Sequence, residues 1–107
     1  MMIGYARVST TDQDTALQLT ALRAANVSTI YHEKRSAVKR RPQLAAALDA
    51  LGPGDTLTVY KLDRLARSLL DLLRILRQIE EQGAHFRSLT ESIDTATPAG
   101  RMMLQLL

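Results

Sequence analysis

A hydroxyl and a guanidinium lie two residues apart near the amino terminus, at Ser9 and Arg7. The mostly apolar residues around them predict a strand over residues 2–8, and in such a conformation Tyr5, Arg7 and Ser9 share one face. A helix is predicted directly afterwards, and the N–H groups at its start favour a bound anion. This combination suits phosphoryl transfer. The alternative is that Ser9 belongs to an ordinary helix cap and that Arg7 is paired at the sheet edge.

A second group of charged residues lies at positions 61–68, where a long helix is predicted over residues 63–82. We expect Asp63 to cap this helix. Arg64 and Arg67, three residues apart, would then share a face of its first turn, where the helix dipole disfavours cations. Two arginines in an unfavourable place indicate a function that outweighs stability. The alternative is a pair of solvated or salt-bridged arginines.

Residues 33–41 are predicted to form a charged loop, and five of the eight residues from 34 to 41 are basic. Such a loop fits closure on a phosphate backbone, although a solvated run of charges is the alternative. All three segments follow predicted strands, so the fold would gather them at one edge of the sheet. No histidine is placed to activate the serine, and nearby arginines or a carboxylate such as Asp63 would have to assist.

Composition limits the classes of protein that the sequence encodes. Its 107 residues suffice for one compact domain, and 46% of them are hydrophobic. The absence of cysteine excludes a disulfide scaffold, a thiolate metal site and a cysteine nucleophile. Fourteen basic residues, eleven of them arginine, outnumber eleven acidic ones, which favours phosphate ligands, including nucleic acid. The sequence contains no recognisable membrane span or secretion signal, so we expect a cytoplasmic protein with no membrane partner.

Strands alternate with helices along the chain. The strands are predicted over residues 2–8, 27–31, 56–60 and 84–89. A capping box of Thr10 and Gln13 begins the first helix, Pro42 opens the second, and Thr97 caps the last, with Pro98 in its first turn. This alternation implies parallel pairing through right-handed crossovers. We therefore expect a three-layer α/β domain whose helices flank a central, mostly parallel sheet of four or five strands.

The predicted long helix carries leucines on more than one of its faces. They are Leu69, Leu70, Leu72, Leu73 and Leu76. We favour the interpretation that this helix packs into the core on two sides. The alternative is that part of the cluster forms a subunit interface.

Taken together, the motifs resemble the catalytic domain of the serine recombinases, in their small resolvase and DNA-invertase branch. The similar segments are residues 5–10 with Gln13 (the nucleophile motif), 61–68 (the second signature), Ser36 with Arg41 and Pro42 (the third), and 86–95 with 97–101 (the stretch before the long dimerisation helix of invertases). The similarity covers nearly the whole chain, and the motifs follow the order found in the family.

This resemblance implies site-specific recombination of double-stranded DNA without a metal or other cofactor. Ser9 would attack a DNA phosphodiester, form a 5′-phosphoserine link and release a 3′-hydroxyl. In the full-length protein, homodimers would pair into a tetramer for strand exchange. The resemblance assigns catalysis to Ser9, Arg7, Arg64, Arg67 and Asp63. It assigns phosphate or DNA binding to Arg41, Ser36, Gln13, Lys61 and Arg40.

Departures from the family pattern affect these assignments. Ala37 stands where the family usually has glycine, and the loop from Ser36 to Arg41 is one residue shorter than in many relatives. Arg40 and Arg41 therefore stay alternatives for the phosphate ligand. We expect residues 1–107 to be one catalytic domain, truncated at the start of the long dimerisation helix and lacking the C-terminal DNA-binding domain. Alone, it should be inactive and bind DNA weakly, without sequence preference.

Two other classes of function compete with this one. The first is a catalytically silent module for DNA binding or assembly on the same scaffold. The presence of Ser9 together with the arginines argues against it, because binding alone would not need that hydroxyl. The second is a small phosphatase or nucleotide-binding domain, which the lack of a glycine-rich phosphate loop disfavours.

Overall fold

A computed structural model describes residues 1–9, 13–36 and 40–106 of the chain. The strands are β1 (Met2–Val8), β2 (Thr29–Lys34), β3 (Thr56–Val59), β4 (His85–Ser88) and β5 (Ile93–Asp94). The helices are α1 (Gln13–Ala24), α2 (Pro42–Ala50), α3 (Leu69–Glu81) and α4 (Pro98–Gln105). A short 3₁₀ turn over Leu62–Arg64 precedes α3. The predicted capping role of Thr10 lies outside the described residues.

The five strands form one sheet in the order β2-β1-β3-β4-β5. The first four are parallel to their neighbours, and β5 is antiparallel to β4. Each parallel step needs a crossover, which the intervening helices supply. The predicted α/β class with a mostly parallel sheet is therefore confirmed.

The two faces of the sheet are covered by different helices. On one face, Ile3 and Tyr5 of β1 join a buried core with apolar residues of α2 and α3. On the other face, α1 lies close to β1, because Gly4 leaves room for Leu22. A Cβ atom at position 4 would stand only 2.9 Å from Cγ1 of Val27. The result is a layer of helix on each side of the sheet.

Two of the predicted boundaries are wrong in ways that matter for the site. β2 begins at Thr29 and continues to Lys34, so Glu33 belongs to a strand and is buried at 2% exposure instead of lying in a charged loop. The long helix begins at Leu69 and not at Asp63. Its cap is Ser68, whose Oγ accepts the Asp71 N–H at 3.1 Å. Before this point the chain forms the 3₁₀ turn over Leu62–Arg64, and Leu65, which ends that turn, is fully buried.

The leucines of α3 do not form a doubly packed core helix, and that prediction is wrong. The buried residues of α3 are Leu72, Ile75 and Ile79, whose spacing places them on a single stripe toward the sheet. Leu69, Leu70 and Leu73 are 53%, 58% and 47% exposed. Leu76 is partly buried against the core, whereas the three leucines on the far side of the helix stay at the surface.

The last helix is fixed to the edge of the sheet by its first turn. As predicted, Thr97 caps it: the Thr97 Oγ1 accepts the Gly100 N–H at 3.0 Å, and it donates to the Asp94 carbonyl at 2.8 Å. Gly100 is buried against β5. Within the parts of the chain that the structure describes, no helix combines the length and apolar character needed to cross a membrane.

Gly100→Ala is expected to displace α4 from β5. A Cβ atom at this position would stand 1.8 Å from the Asp94 carbonyl oxygen, a backbone atom that cannot turn aside. We expect a loss of about 1–3 kcal/mol in the free energy of unfolding, which corresponds to a melting temperature lower by at least about 4 °C. Gly52→Ala is the control, because its nearest neighbour lies at an ordinary 3.6 Å. Equal melting temperatures for the two variants would contradict the tight contact.

Candidate active site at the carboxyl edge of the sheet

The carboxyl ends of β1, β2 and β3 meet at one edge of the sheet. Arg7 of β1 stands beside Glu33 of β2, and Val8 beside Lys34, so Ser9 and the segment after β2 leave the sheet together. The 3₁₀ turn that contains Asp63 and Arg64 follows β3 at the same edge. The predicted convergence of the three motif segments is therefore what the topology produces.

Ser9 is half-buried, and its backbone is held by the first helix. The Ser9 N–H donates to Oγ1 of Thr15 at 2.8 Å, and the same hydroxyl donates back to the Ser9 carbonyl at 3.0 Å. One threonine of α1 thus fixes both backbone groups of the serine. Sequence reasoning missed Thr15, because a threonine inside a helix gives no sign of a contact six residues away.

Arg7 is positioned through its backbone by Gln18 of α1. The Gln18 side chain, fully buried, accepts the Arg7 N–H at 3.2 Å and donates to the Arg7 carbonyl at 2.8 Å. β3 pairs with β1 only as far as Gly4. At Arg7 the side-chain amide of Gln18 therefore makes the hydrogen bonds that a neighbouring strand would otherwise make. Sequence reasoning missed Gln18 as well, although a polar residue amid apolar helix positions was the available signal.

The Arg7 side chain reaches toward the segment after β2. Its Nη2 donates to the Arg35 carbonyl at 3.4 Å. Its Nε is buried and, within the described part of the chain, has no hydrogen-bond acceptor. A buried guanidinium donor without an acceptor is suited to an oxyanion ligand.

Tyr5 and Glu33 form a buried pair beneath this edge. The Tyr5 hydroxyl donates to Glu33 at 3.3 Å, and the Glu33 carboxyl oxygens also accept the backbone N–H groups of Gln43 and Leu44, at 3.3 and 3.0 Å. Burial, with the neighbouring Glu33, holds the pKa of Tyr5 well above its ordinary value. Glu33 therefore joins β1, β2 and the start of α2, a role hidden by its predicted place in a solvated loop.

Arg41 is held at the other side of the same edge. Its two terminal nitrogens donate to both carboxyl oxygens of Asp71, at 2.8 and 2.7 Å, and one also donates to the Leu65 carbonyl at 3.2 Å. The Arg41 side chain is only 12% exposed. Arg40, in contrast, is exposed. Asp71 was not among the predicted site residues, because its partner lies thirty positions away in sequence.

The Asp71→Asn variant is expected to make stability less dependent on pH. Hydrogen bonds from Arg41 hold the pKa of Asp71 below its ordinary 3.8, burial opposes this, and the Arg67 backbone N–H adds to it. A carboxyl pKa that is lower in the folded chain gives stabilisation that is complete above about pH 4 and is lost as the pH falls through the folded value.

Urea unfolding tests this expectation. We expect Asp71→Asn to lower the free energy of unfolding by about 1–3 kcal/mol at pH 7, with the difference from wild type shrinking toward pH 2. Asp49→Asn, an exposed change on α2, is the control. A difference between Asp71→Asn and wild type that stays constant from pH 7 to pH 2 would contradict the ionised pair.

Arg64 is enclosed by two carboxylates. Its Nε and Nη2 donate to the two carboxyl oxygens of Asp14 at 2.9 and 2.8 Å, and its Nη1 donates to Asp63 at 2.9 Å. Asp14 also accepts from Arg35 at 2.8 Å and from Gln18 at 2.7 Å. The hydrogen bond from Arg64 is the main reason why the pKa of Asp14 is lowered. Asp14 was not predicted either.

The remaining predicted site residues lie at the surface of the same edge. Gln13, Ser36 and Arg67 are exposed, and the Asp63 side chain is 66% exposed. The Lys61 ammonium stands 5.9 Å from the centre of the Tyr60 ring. Arg64 and Arg67 do not share a helix face as predicted, because both precede α3. The structure instead gathers Arg35 and Arg64 around Asp14, and Arg41 with the Arg67 backbone around Asp71.

This arrangement defines a domain with a serine at a strand end and several arginines around it, of which Arg35, Arg41 and Arg64 are paired with carboxylates. Comparison with known proteins identifies the family of this domain. Residues 2–107 match the family model described as "Resolvase, N terminal domain". The chain belongs to this family, and the resemblance found in its motifs is confirmed.

Relatives and solved structures agree with this assignment. The chain is 48% identical to a DNA-invertase of Escherichia phage P1 over 108 residues, which cover 100% of the chain and 58% of that protein. It is also 48% identical to the serine recombinase gin of Escherichia phage Mu, with 100% and 56% covered. The N-terminal catalytic domain of TP901-1 integrase superposes with a TM-score of 0.77 at 30% identity, covering 98% of this chain and 88% of that one. The chain therefore spans little more than half the length of the curated relatives it matches.

Proposed function

We propose that this chain is the catalytic domain of a serine-type site-specific DNA recombinase, in which Ser9 is the nucleophile. The observation that carries the proposal is the position of Ser9 at the carboxyl end of β1, with Arg7 on the same strand and Arg64 following β3 at the same edge. Named relatives that are DNA invertases and serine recombinases support the class of reaction. The partner is double-stranded DNA, and the full-length protein acts as dimers that pair into a tetramer.

The proposed reaction conserves the number of phosphate ester bonds. The Ser9 Oγ attacks phosphorus and a new Oγ–P bond forms, while the bond from phosphorus to the 3′-oxygen breaks. The serine proton leaves to a base, and the departing 3′-oxygen takes up a proton. Attack by a 3′-hydroxyl of another strand reverses these steps and releases Ser9. Since one ester replaces another, religation needs no nucleotide or other energy source.

The arginines supply the charge that this transition state needs. Guanidinium groups bind non-bridging phosphate oxygens and offset the negative charge that develops on them. We assign this role to Arg7, whose buried Nε faces no acceptor within the described residues, and to Arg64 and Arg67. Asp63, in contact with Arg64, positions that arginine or manages a proton.

The structure bears on the choice between Arg40 and Arg41. Arg41 is mostly buried and paired through both terminal nitrogens with Asp71, so it reaches a phosphate only if that pair opens. Arg40 is exposed next to it. We therefore assign contact with the DNA backbone to Arg40. Arg41 would lie beneath the phosphate without contacting it. Lys61, Gln13 and Ser36 line the exposed approach to the same edge.

A chimeric protein tests the proposal without knowledge of the natural DNA site. Residues 1–107 replace the matching part of the phage P1 DNA-invertase, and the chimera is incubated with supercoiled DNA that carries that invertase's own sites. Denaturation with detergent traps covalent intermediates, and mass spectrometry of the digested adduct identifies the linked residue. We expect a 5′-phosphate ester on Ser9. An adduct on a different residue would overturn the assignment, as would a folded, DNA-binding chimera that forms no adduct.

A further inference from the structure

The carboxylate of Asp14 lies at the centre of a polar cluster close to the serine in sequence. Its Oδ2 accepts from Arg64 Nε, Arg35 Nη2 and Gln18 Nε2, at 2.9, 2.8 and 2.7 Å, and its Oδ1 accepts from Arg64 Nη2 at 2.8 Å. The carboxylate is 18% exposed and the Arg64 side chain 23%. These donors come from three separate parts of the chain: α1 itself, the segment after β2 and the turn after β3.

The donors around Asp14 have the geometry of an oxyanion site. Nε and Nη2 form the planar edge of a guanidinium that binds a carboxylate or a phosphate through two parallel hydrogen bonds. Arg35 brings a second positive charge to the same oxygen, and the Gln18 amide a neutral donor. An anion in this position accepts hydrogen bonds from three residues through two of its oxygens. Asp14 supplies that anion from within the chain.

A DNA phosphate and the Asp14 carboxylate cannot both use this edge of Arg64. The two N–H groups that point to Asp14 are those that a bidentate phosphate contact needs, and Arg64 Nη1 already donates to Asp63. A phosphate placed beside an intact Asp14 would also face a like charge. Binding by Arg64 therefore requires that the Asp14 carboxylate move out of the site.

We propose that Asp14 closes a phosphate-binding site formed by Arg35 and Arg64, and that a DNA backbone phosphate enters by exchange with its carboxylate. This inference rests on the proposed function, which assigns phosphate binding to Arg64, and it adds Arg35 as a second ligand. Asp14 lies on the first turn of α1, next to the Thr15 that holds Ser9. The exchange thus takes place beside the nucleophile, and the arginines are available to phosphate only when DNA displaces Asp14.

The affinity of the 107-residue chain for DNA tests this exchange. We measure binding to a fluorescein-labelled duplex of 20 base pairs by fluorescence anisotropy at low salt. Asp14→Asn removes the competing charge and keeps the size of the side chain. Asp49→Asn makes the same change in net charge at an exposed position of α2, on the opposite face of the sheet, so it controls for general attraction to DNA.

The expected result is that Asp14→Asn binds about three- to tenfold more tightly than Asp49→Asn, because the site no longer has to open first. In a background that carries both Arg35→Gln and Arg64→Gln, the two substitutions should have equal effects, since the carboxylate then blocks neither guanidinium of the site. Melting curves establish that each variant is folded. Asp14→Ala takes the place of Asp14→Asn if the latter does not fold.

Other outcomes overturn the inference, and they separate it from the proposed function. If the wild-type chain binds the duplex but Asp14→Asn binds no more tightly than Asp49→Asn, Asp14 is a fixed support for Arg64 and the exchange is wrong. The same conclusion holds if the gain persists in the background that carries both Arg35→Gln and Arg64→Gln. If neither the wild-type chain nor Asp14→Asn binds the duplex, both the exchange and DNA binding by this domain are wrong.

Discussion

Replacing Ser9 with alanine is expected to abolish the covalent protein–DNA adduct of the chimeric recombinase while leaving DNA binding unchanged. In the proposed reaction the hydroxyl oxygen forms the new bond to phosphorus, so its removal would leave no route to the intermediate. We expect adduct formation to fall by at least about 10⁴-fold, as for other enzymes that lose their nucleophile. The fold should not suffer, because Thr15 contacts the N–H and carbonyl of Ser9, both of which alanine retains.

Ser28→Ala provides the matched control for this experiment. Ser28 is exposed and lies near the amino end of β1, where its hydroxyl donates to the Met2 carbonyl at 2.8 Å. The change therefore removes the same atom at the opposite edge of the sheet. We expect this variant to form adduct at the wild-type level. Continued adduct formation by Ser9→Ala, measured on detergent gels, would show that another residue is the nucleophile.

Replacing Glu33 with alanine is expected to destabilise the domain more than any surface substitution. Three donors converge on this buried side chain: the Tyr5 hydroxyl and the N–H groups of Gln43 and Leu44 at the start of α2. Alanine would leave them without their acceptor in a region closed to water. We expect the free energy of unfolding to fall by about 2–4 kcal/mol and the melting temperature by about 10 °C or more.

Two further variants show whether these hydrogen bonds are responsible. Glu33→Gln keeps an acceptor oxygen and the side-chain volume, so it should lose less stability than Glu33→Ala. Glu81→Ala, at the exposed end of α3, should stay close to wild type. Differential scanning calorimetry on the four proteins gives the order. Equal melting temperatures for Glu33→Ala and Glu81→Ala would contradict the role that we assign to Glu33.

Local patterns in the sequence predict most of the scaffold. The apolar run of β1, the proline that opens α2 and the threonine that caps α4 each act within a few residues, and all three elements occur where the sequence places them. The parallel sheet follows from the alternation of strands and helices. The predicted start of α3 was wrong because Asp63 is a good capping residue by type, whereas the residue that caps the helix is Ser68, after the 3₁₀ turn over Leu62–Arg64.

The carboxylates that orient the arginines could not be predicted in the same way. Asp14 and Arg64 are fifty positions apart, Arg41 and Asp71 thirty, and Tyr5 and Glu33 twenty-eight. Each pair depends on which strands are neighbours and on the direction in which each following helix leaves the sheet. Charge type alone gives no sign of such a partner. Arg41 and Arg64 were recognised as site residues from their motifs, as was Asp63 beside Arg64, but the distant carboxylates Asp14 and Asp71 required the tertiary structure.

The early end of the pairing between β1 and β3 has a consequence for the shape of this edge. The described pairing ends at Gly4 and Thr58, and the helices that follow the two strands pack on opposite faces of the sheet. In open parallel sheets such a reversal of direction is where ligands enter. The Gln18 amide occupies the Arg7 N–H and carbonyl there, so the chain satisfies its own backbone beside Ser9 without a third strand partner.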